Sequence, residues 1–539
     1  MNQFIQKLFG MILFLTSINF TMCFAAEQAS NVDKSKYGNE LVFAMANSPL
    51  HLNPAIISGS YVGFPGVQLF ASPLRFDDKW HPQPYLAEKW KISKNGLSVT
   101  LHLVKDATFH DGWPITSKDI EFSIITVRDN HPFSSMFSSV EKVDTPDPHT
   151  AIIRLKNPHP AILLAMSSSL LPIIPKHIYG DGKDIKTHPA NMNPVGSGPF
   201  KFVEFIPGDH ILLERYDNFF IKGRPYLNKV RFKICKKFDP LSMTSGHTHI
   251  WPFYKHDSVD ILENDKNLLI TSKGYEGILP LIWIGFNMRK KPFDDIRVRQ
   301  ALAYSIDREL ISKDLFKGKS IKATGPIGPD HPFYTDDVEH YNTDIKKANE
   351  LLDAAGYVRN KNSKRFSIKL DYIPRNITYV NMSEYIKDEL LRKSGIEVNI
   401  RHSKNFSEFS ANVSNGHFDM VLNVVYNWGD PVIGVHRTYD CNNIRPGVLY
   451  SNTQGYCNPI VNKIMDKVAV ERDFQKRKSL YKEFQKIIVQ DLPIYYLLKL
   501  PVSTVYNKNV FGLNDSIWGL TSPFDCVWIK KENDRISKN

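Results

Sequence analysis

Residues 426–430 read Tyr-Asn-Trp-Gly-Asp and end an apolar run with side chains suited to recognition. Asp430 offers a carboxylate, and Trp428 offers an apolar or stacking surface beside the flexible Gly429. Arg375, in the stretch YIPRNITYV, offers a guanidinium that can bind a carboxylate through two hydrogen bonds. A carboxylate and a guanidinium on separate segments would clamp the two charged ends of a zwitterion. The alternatives are a turn residue before proline for Asp430 and a surface residue for Arg375.

The stretch IISGSYVG adds backbone and hydroxyl hydrogen-bond donors from a second part of the chain. Together these segments predict a ligand-binding set and no catalytic set. The predicted ligand-binding residues are Ser58, Gly59, Ser60, Tyr61, Arg375, Tyr426, Asn427, Trp428, Gly429 and Asp430.

Signatures of catalysis or metal binding are missing from the sequence. There is no G-x-S-x-G nucleophile elbow and no H-E-x-x-H, and the 18 histidines have no motif spacing. We therefore predict that the protein is not an enzyme and holds no metal or cofactor. A secreted hydrolase remains the alternative from another class, and turnover of a peptide would reveal it.

The surrounding elements place the recognition residues at the end of a strand. DMVLNVVYN is an apolar run typical of a strand, and it alternates with helical patterns such as 295–316, where Val298, Leu302 and Ile306 recur every four residues. This alternation predicts an open α/β sheet. Ligands of such sheets collect beyond the carboxyl ends of the strands, which is where Trp428 and Asp430 stand.

The length of 539 residues exceeds the roughly 250–300 at which one core stops growing, so two or more domains are expected. Residues 1–26 combine a basic start, an apolar stretch and small residues, which predicts a secretory signal peptide. We expect export to the periplasm of a Gram-negative cell. A lipoprotein anchored at Cys23 is the alternative.

The net charge of +12 comes from basic residues that are interleaved with acids, so we expect no nucleic-acid partner. Four cysteines follow the predicted signal peptide. In an oxidising compartment the local pair Cys441 and Cys457 is the best candidate for a disulfide, with two unpaired thiols as the alternative. Whether Cys235 and Cys526 pair stays open.

Four segments in order resemble the family 5 extracellular solute-binding proteins, the dipeptide- and oligopeptide-binding components of bacterial ABC importers. They are LAEKWKISKNGLSVTLHLVKDATFHDGWPITSKDIEFSI, PVGSGPFKFVEFIPGDHILLERYDNFF, PFDDIRVRQALAYSIDRELI and GYCNPIVNKIMDKV, the last followed by DLPIYYL. The resemblance implies an α/β fold, a two-lobed periplasmic-binding-protein clamshell of class II type with an extra inserted α+β domain. The implied division is signal peptide 1–26, lobe I 27–76, 191–283 and 508–539, inserted domain II 77–190, and lobe III 284–507, with hinge crossings near 283 and 507.

The resemblance also implies residue roles. An aspartate after the strand-end tryptophan meets a peptide amino terminus in such proteins, and an arginine before a lobe III helix meets the carboxylate, so Asp430 and Arg375 are the matching positions. The usual pattern is Trp, two residues, Asp, two residues and Asp-Pro, whereas WGDP has a single acid, and Asp430 matches either position.

The implied function is capture of peptides or peptide-like solutes by a monomer that delivers them to an ABC permease. Metal chelates, haem, opines or sugars are alternative ligands for the same scaffold. A folding helper or adhesin with the same clamshell is a further alternative.

Overall fold

The computed structural model describes residues 33–235, 239–254, 262–374, 377–513 and 516–530. The predicted signal peptide, with Cys23, and the candidate Arg375 lie outside the described residues. Within the described ranges, no helix has the length and apolar character needed to cross a membrane.

The described strands form three main sheets and two short two-stranded pairs. The strands are β1 Gly38–Met45, β2 Leu74–Phe76, β3 Pro82–Pro84, β4 Ala87–Ile92, β5 Ser98–Leu103, β6 Val140–Asp147, β7 Thr150–Leu155, β8 Phe200–Ile206, β9 His210–Arg215, β10 Leu227–Ile234, β11 Ile250–Tyr254, β12 Leu268–Thr271, β13 Pro280–Phe286, β14 Ile321–Lys322, β15 Phe366–Tyr372, β16 Ile396–Arg401, β17 Met420–Tyr426, β18 Ile494–Lys499, β19 Ser503–Asn507, β20 Val510–Phe511 and β21 Trp528–Ile529.

The described helices pack on these sheets and range from single turns to five turns. They are α1 Ser60–Leu69, α2 Ser117–Asn130, α3 Ile162–Ala165, α4 Lys176–Tyr179, α5 Pro240–Thr244, α6 Ile296–Ser305, α7 Arg308–Phe316, α8 Ile345–Ala354, α9 Ile377–Ser394, α10 Phe406–Ser414, α11 Pro431–Gly434, α12 Pro459–Val470 and α13 Phe474–Asp491.

Two large mixed sheets form the centres of the two lobes. The seven-stranded sheet has the order β12-β19-β11-β1-β10-β9-β8, and the six-stranded sheet has the order β14-β18-β13-β17-β15-β16. In the second sheet β15 pairs in parallel with both β16 and β17, whereas β13 pairs antiparallel with β17 and β18. The predicted alternation of helix and strand is therefore present, together with an antiparallel half that the pattern does not reveal.

The inserted domain contains the antiparallel sheet β4-β5-β7-β6, covered by α2. A capping box begins this helix: the Thr116 side chain accepts from the Asp119 backbone, and the Asp119 carboxylate accepts from the Thr116 amide at 2.9 Å. Such reciprocal capping satisfies amides that a helix start leaves unpaired. The helix pattern after Thr116 is therefore supported by its capping as well as its periodicity.

The structure divides the single helix predicted over 295–316. Helix α6 ends at Ser305, and Ile306 is extended. Asp307 then begins α7, because its carboxylate accepts from the amides of Glu309 and Leu310. A side-chain cap competes with continued helix, which periodicity alone does not register.

The chain crosses between the two large sheets in two short segments. Strand β13 already belongs to the six-stranded sheet and β19 to the seven-stranded sheet. The crossings are therefore 272–279 and 500–502, a few residues before the expected positions near 283 and 507. Position 283 lies within β13, and position 507 is the last residue of β19. The predicted domain bounds as a whole stay predictions.

The core does not stop at the sheet boundaries. One buried apolar cluster includes Phe43 of the seven-stranded sheet, Ile120 of the inserted domain and Leu422 of the six-stranded sheet. A second cluster, with Trp283 and Phe484, lies within lobe III. The lobes and the inserted domain are thus packed against one another in this structure.

A disulfide joins Cys441 to Cys457, the pair that the sequence favours, while Cys235 and Cys526 are free thiols. The bond encloses the loop 442–456, which lies beside the end of β17. In this way it restrains a loop that contributes to the site described below.

Replacing Cys441 and Cys457 together by alanine is expected to lower the free energy of unfolding by about 3 kcal/mol. That is the loop-entropy gain lost for a ring of about 15 residues, close to the 16-residue separation here. Guanidinium denaturation followed by circular dichroism measures it, with Cys235→Ala as the control thiol removal. An unchanged midpoint would mean that packing alone holds the loop.

Candidate functional site

Strand β17 leads into a turn that is fastened to the crossing segment 272–279. The Asn427 amide donates to the Ile278 carbonyl at 2.8 Å, and the Gly429 amide donates to the Gly277 carbonyl at 2.6 Å. The predicted recognition segment therefore lies at the junction of the two lobes. Any change in their relative orientation acts directly on this turn.

Gly429 is required by its conformation and by its neighbours. Its φ of +70° is in the left-handed region, which favours glycine. A Cβ atom here would also lie 2.7 Å from Leu164 Cδ2 of the inserted domain and 3.4 Å from the Trp518 ring. The glycine thus lets Leu164 and Trp518 pack against the turn. These contacts give no support to the expected contact between Gly429 and a ligand.

Trp428 packs inside the junction. Its ring lies 6.3 Å from the Trp518 ring in a stacked arrangement, 6.0 Å from Phe133 and 6.4 Å from Tyr426, measured between centroids. Only 7% of the residue is exposed. Because its neighbours belong to the inserted domain, lobe III and the C-terminal segment, Trp428 is placed to hold the three together.

Asp430 forms an ion pair with a residue that the sequence pattern does not indicate. Its two carboxylate oxygens accept from Arg477 Nη1 and Nη2 at 2.9 and 2.8 Å, and both side chains are buried. One oxygen also accepts from the Val432 amide at the start of α11. Burial alone would raise the pKa of Asp430, but attraction to Arg477 outweighs it and lowers the pKa to about 2.

This geometry bears on the expected amine-binding role of Asp430. A carboxylate that is already neutralised by a two-point guanidinium contact has little to offer a ligand ammonium group. Asn427, three residues earlier, is an uncharged amide whose Nδ2 donates to the Pro326 carbonyl. The segment therefore presents no free negative charge, and the predicted amine partner has no support in the structure.

Two histidines flank this ion pair, His331 buried and His436 partly buried. His331 donates to the Gly429 carbonyl, and its ring lies 5.1 Å from that of Trp80 in the inserted domain. His436 Nε2 is 3.3 Å from the Tyr481 hydroxyl. Burial lowers the pKa of His331 to about 4 and that of His436 to about 3, with attraction to Asp430 opposing the shift.

The predicted loop of lobe I does reach the end of β17. Gly59, with φ of +134°, precedes helix α1, and its carbonyl accepts from the Gly63 amide. Tyr61 in the first turn is partly buried, and its hydroxyl interacts with the Asn47 side chain. Tyr61 also lies close enough to Tyr426 to act on its titration. The two predicted segments, from different lobes, therefore lie within electrostatic range of each other.

A group of tyrosines surrounds this meeting point, and we call it the tyrosine cluster. Its members interact electrostatically with one another, and burial raises the pKa of each phenol that shows a shift. The tyrosine cluster consists of Tyr61, Tyr275, Tyr379, Tyr426 and Tyr450. The hydroxyls of the tyrosine cluster can donate to or accept from a polar ligand, and the rings supply apolar contact.

Sequence reasoning identified two members of the tyrosine cluster and missed the others. Tyr275 lies in the crossing segment and bonds Thr504, and Tyr450 lies in the disulfide loop. Neither stretch has a motif. Tyr379, in the first turn of α9, follows the candidate Arg375 by four residues, and that spacing on a suspected site helix was the one available signal.

Breaking the Asp430–Arg477 pair is expected to destabilise the protein. Asp430→Asn should lower the free energy of unfolding by about 3–5 kcal/mol, because Arg477 is left as a buried, unpaired charge. The double variant Asp430→Asn/Arg477→Met should lose less than the sum of the single losses. Denaturant titrations measure this cycle.

The control for that cycle is Asp337→Asn, which removes exposed ion pairs to Lys482 and Lys486. We expect it to leave the free energy of unfolding nearly unchanged, because exposed ion pairs contribute little. A stable Asp430→Asn variant that loses ligand binding would contradict the structural role and restore the predicted amine contact.

The buried histidines predict a loss of stability in mild acid. Their folded-state pKa values lie below the ordinary 6.5. As the pH falls from about 6.5 towards 4, the unfolded chain therefore takes up protons that the folded protein does not, and the free energy of unfolding decreases. His331→Gln should reduce this decrease in urea titrations at pH 7 and pH 4.5. An identical pH dependence in the variant would show that His331 titrates normally.

Comparisons with known proteins agree with this architecture. Residues 81–445 match the bacterial extracellular solute-binding proteins, family 5 middle region. The heme-binding protein A of Haemophilus influenzae is 30% identical over 60% of this chain and 63% of its own. The dipeptide-binding protein of Escherichia coli is 25% identical over 90% of this chain and 94% of its own.

A solved structure shares the fold over almost the whole chain. It is the ABC transporter-associated periplasmic binding protein DppA of Helicobacter pylori in complex with the peptide STSA. The TM-score is 0.80 at 23% identity, with 93% of this chain and 99% of that chain covered. The two-lobed α/β architecture is therefore that of a periplasmic binding protein. With its matching central region and its shared fold, the chain belongs to family 5 of the bacterial extracellular solute-binding proteins.

Proposed function

We propose that this protein captures peptides or peptide-like solutes between its two lobes in the periplasm and delivers them to the membrane permease of an ABC importer. The observation that carries the proposal is the meeting of Tyr61 from lobe I with Tyr426 from lobe III. Relatives with the same fold include a dipeptide-binding protein and a protein bound to a peptide. We further propose that it acts as a monomer and without turnover of its ligand.

The geometry at the junction supports a binding set that is drawn from both lobes. Ser58, Gly59, Ser60 and Tyr61 would contact the ligand from lobe I, and Tyr426 and Asn427 from lobe III, while Arg375 stays a candidate. Trp428, Gly429 and Asp430 are better explained as the packed junction that positions them, because their contacts are already made within the chain.

Closure explains how capture and delivery are linked. A ligand that touches both lobes gains its second set of contacts only in the closed form, so it shifts the equilibrium towards closure by that differential affinity. The tyrosine cluster includes residues of both lobes and of a crossing segment, so one ligand would contact all three. The closed form would be what the permease recognises.

The test is native mass spectrometry of the protein purified from periplasm, followed by release and identification of bound small molecules. We expect a set of short peptide masses. Tyr426→Ala should reduce their occupancy about tenfold, because a buried ring and its hydroxyl leave the site.

Tyr357→Ala is the matched control, since this partly buried tyrosine of lobe III contacts Phe366 and lies outside the cluster. It should leave occupancy unchanged. A single haem or metal-chelate mass would replace the peptide proposal with the non-peptide alternative. Cleavage of the recovered peptides by the purified protein would overturn the assignment as a binding protein.

A further inference from the structure

Arg437 follows the junction turn and holds a guanidinium between lobe III and the inserted domain. Its Nε donates to the Gly434 carbonyl at 3.0 Å, Nη1 to the Tyr450 carbonyl at 3.2 Å, and Nη2 to the Tyr426 carbonyl at 3.3 Å. The guanidinium carbon also lies 4.8 Å from the centre of the Phe133 ring. Arg437 thus touches two members of the tyrosine cluster.

This cation lacks a counter-ion within the described part of the chain. Its three contacts are to carbonyl oxygens, and the side chains that act on it electrostatically are the neutral phenols of Tyr450 and Tyr496. Burial lowers the pKa of Arg437 to about 10, so it remains charged at neutral pH. A partly buried charge whose partners are only neutral carbonyl oxygens is costly, and an arriving anion would reduce that cost.

The crossing segment carries the carboxylate of Glu276, but no described acidic side chain acts electrostatically on Arg437. Asp430 is taken by Arg477, and Asn427 is neutral. None of the described acidic side chains contributes to the pKa shifts of Tyr379, Tyr426 or Tyr450. The tyrosine cluster and Arg437 therefore form a site whose described charge is positive.

A small cavity beside Tyr450 and Thr438, the residue after Arg437, contains a hydrogen-bond donor that lacks an acceptor. It measures about 10 Å³, room for about one water-sized group. Tyr450 and Thr438 form part of its wall, as does Trp283, which is only 4% exposed. The indole N–H of Trp283 has no acceptor among the described residues. An indole N–H, like a guanidinium, donates and never accepts.

We propose that Arg437 is the counter-ion for a carboxylate of the ligand, with Trp283 donating to an acceptor atom at that same end. This inference rests on the proposed function and makes it narrower. The preferred cargo is a peptide-like compound with a free carboxylate, and a free amino group adds nothing to its binding. Zwitterionic recognition through Asp430 and Arg375 is thereby replaced by recognition of an anion.

The test compares forms of one peptide library rather than relying on a variant alone. Di- to pentapeptides are prepared as free acids, as N-acetylated acids and as C-terminal amides, and are titrated into the full mature protein with native mass spectrometry as the readout. We expect acids and N-acetylated acids to bind equally and the amides at least tenfold more weakly. Amides that bind as tightly as acids would overturn the inference while leaving peptide binding intact.

Failure of the proposed function has a different appearance in the same experiment. If no form of any peptide binds, the peptide proposal itself falls, and the carboxylate subsite falls with it. If the free acids bind but the N-acetylated acids do not, the protein has a partner for the ligand amino group. That result would refute the proposal that a free amino group adds nothing to binding.

Variants then separate recognition from simple support of the loop. Arg437→Gln should bring the acid-to-amide affinity ratio close to one, and Arg437→Lys should keep part of it. A brace for the disulfide loop would instead weaken both forms equally and leave the ratio unchanged. Trp283→Phe should weaken acid binding about tenfold with a retained ring, and Arg359→Gln, an exposed arginine of the same lobe, should change nothing.

Discussion

The ion pair between Asp430 and Arg477 is the constraint on which the junction depends. Two opposite charges are buried together there. Removing either one would leave the other unpaired in an apolar surrounding. The pair connects the turn after β17 with helix α13, which is distant in sequence. With that turn fixed, Trp428 and Gly429 are placed against the inserted domain and the C-terminal segment, and Tyr426 lies within electrostatic range of Tyr61.

The fold can be predicted from the sequence where local interactions determine it. The strand at 420–426 and the helix after Thr116 follow from apolar runs and from capping residues that act within a few positions. Hydrophobic periodicity does not predict the break within 295–316, because Asp307 is equally compatible with the interior and the start of a helix. The Asp307 cap is a local contact between a side chain and backbone amides, which hydrophobic periodicity does not register.

The site is harder to predict from the sequence, because its decisive contacts join residues that are distant in the chain. Asp430 stands where a ligand-facing acid is expected, but its partner Arg477 is 47 positions away and belongs to an amphipathic helix with many basic residues. Nothing local marks Arg477 as its counter-ion. Likewise, Arg437 and Tyr450 gain significance only from their proximity to Tyr426. Long-range pairing therefore decided which charged residues remain available for a ligand.

The disulfide between Cys441 and Cys457 has a consequence for affinity as well as for folding. It closes the loop that carries Tyr450 and part of the cavity wall, so that loop loses its freedom during oxidative maturation rather than during ligand capture. Preorganisation of this kind removes an entropic penalty from the binding step. In the oxidised protein, the disulfide would therefore favour tighter binding of a ligand at this site. The reduced protein would have the same residues but would bind its ligand with lower affinity.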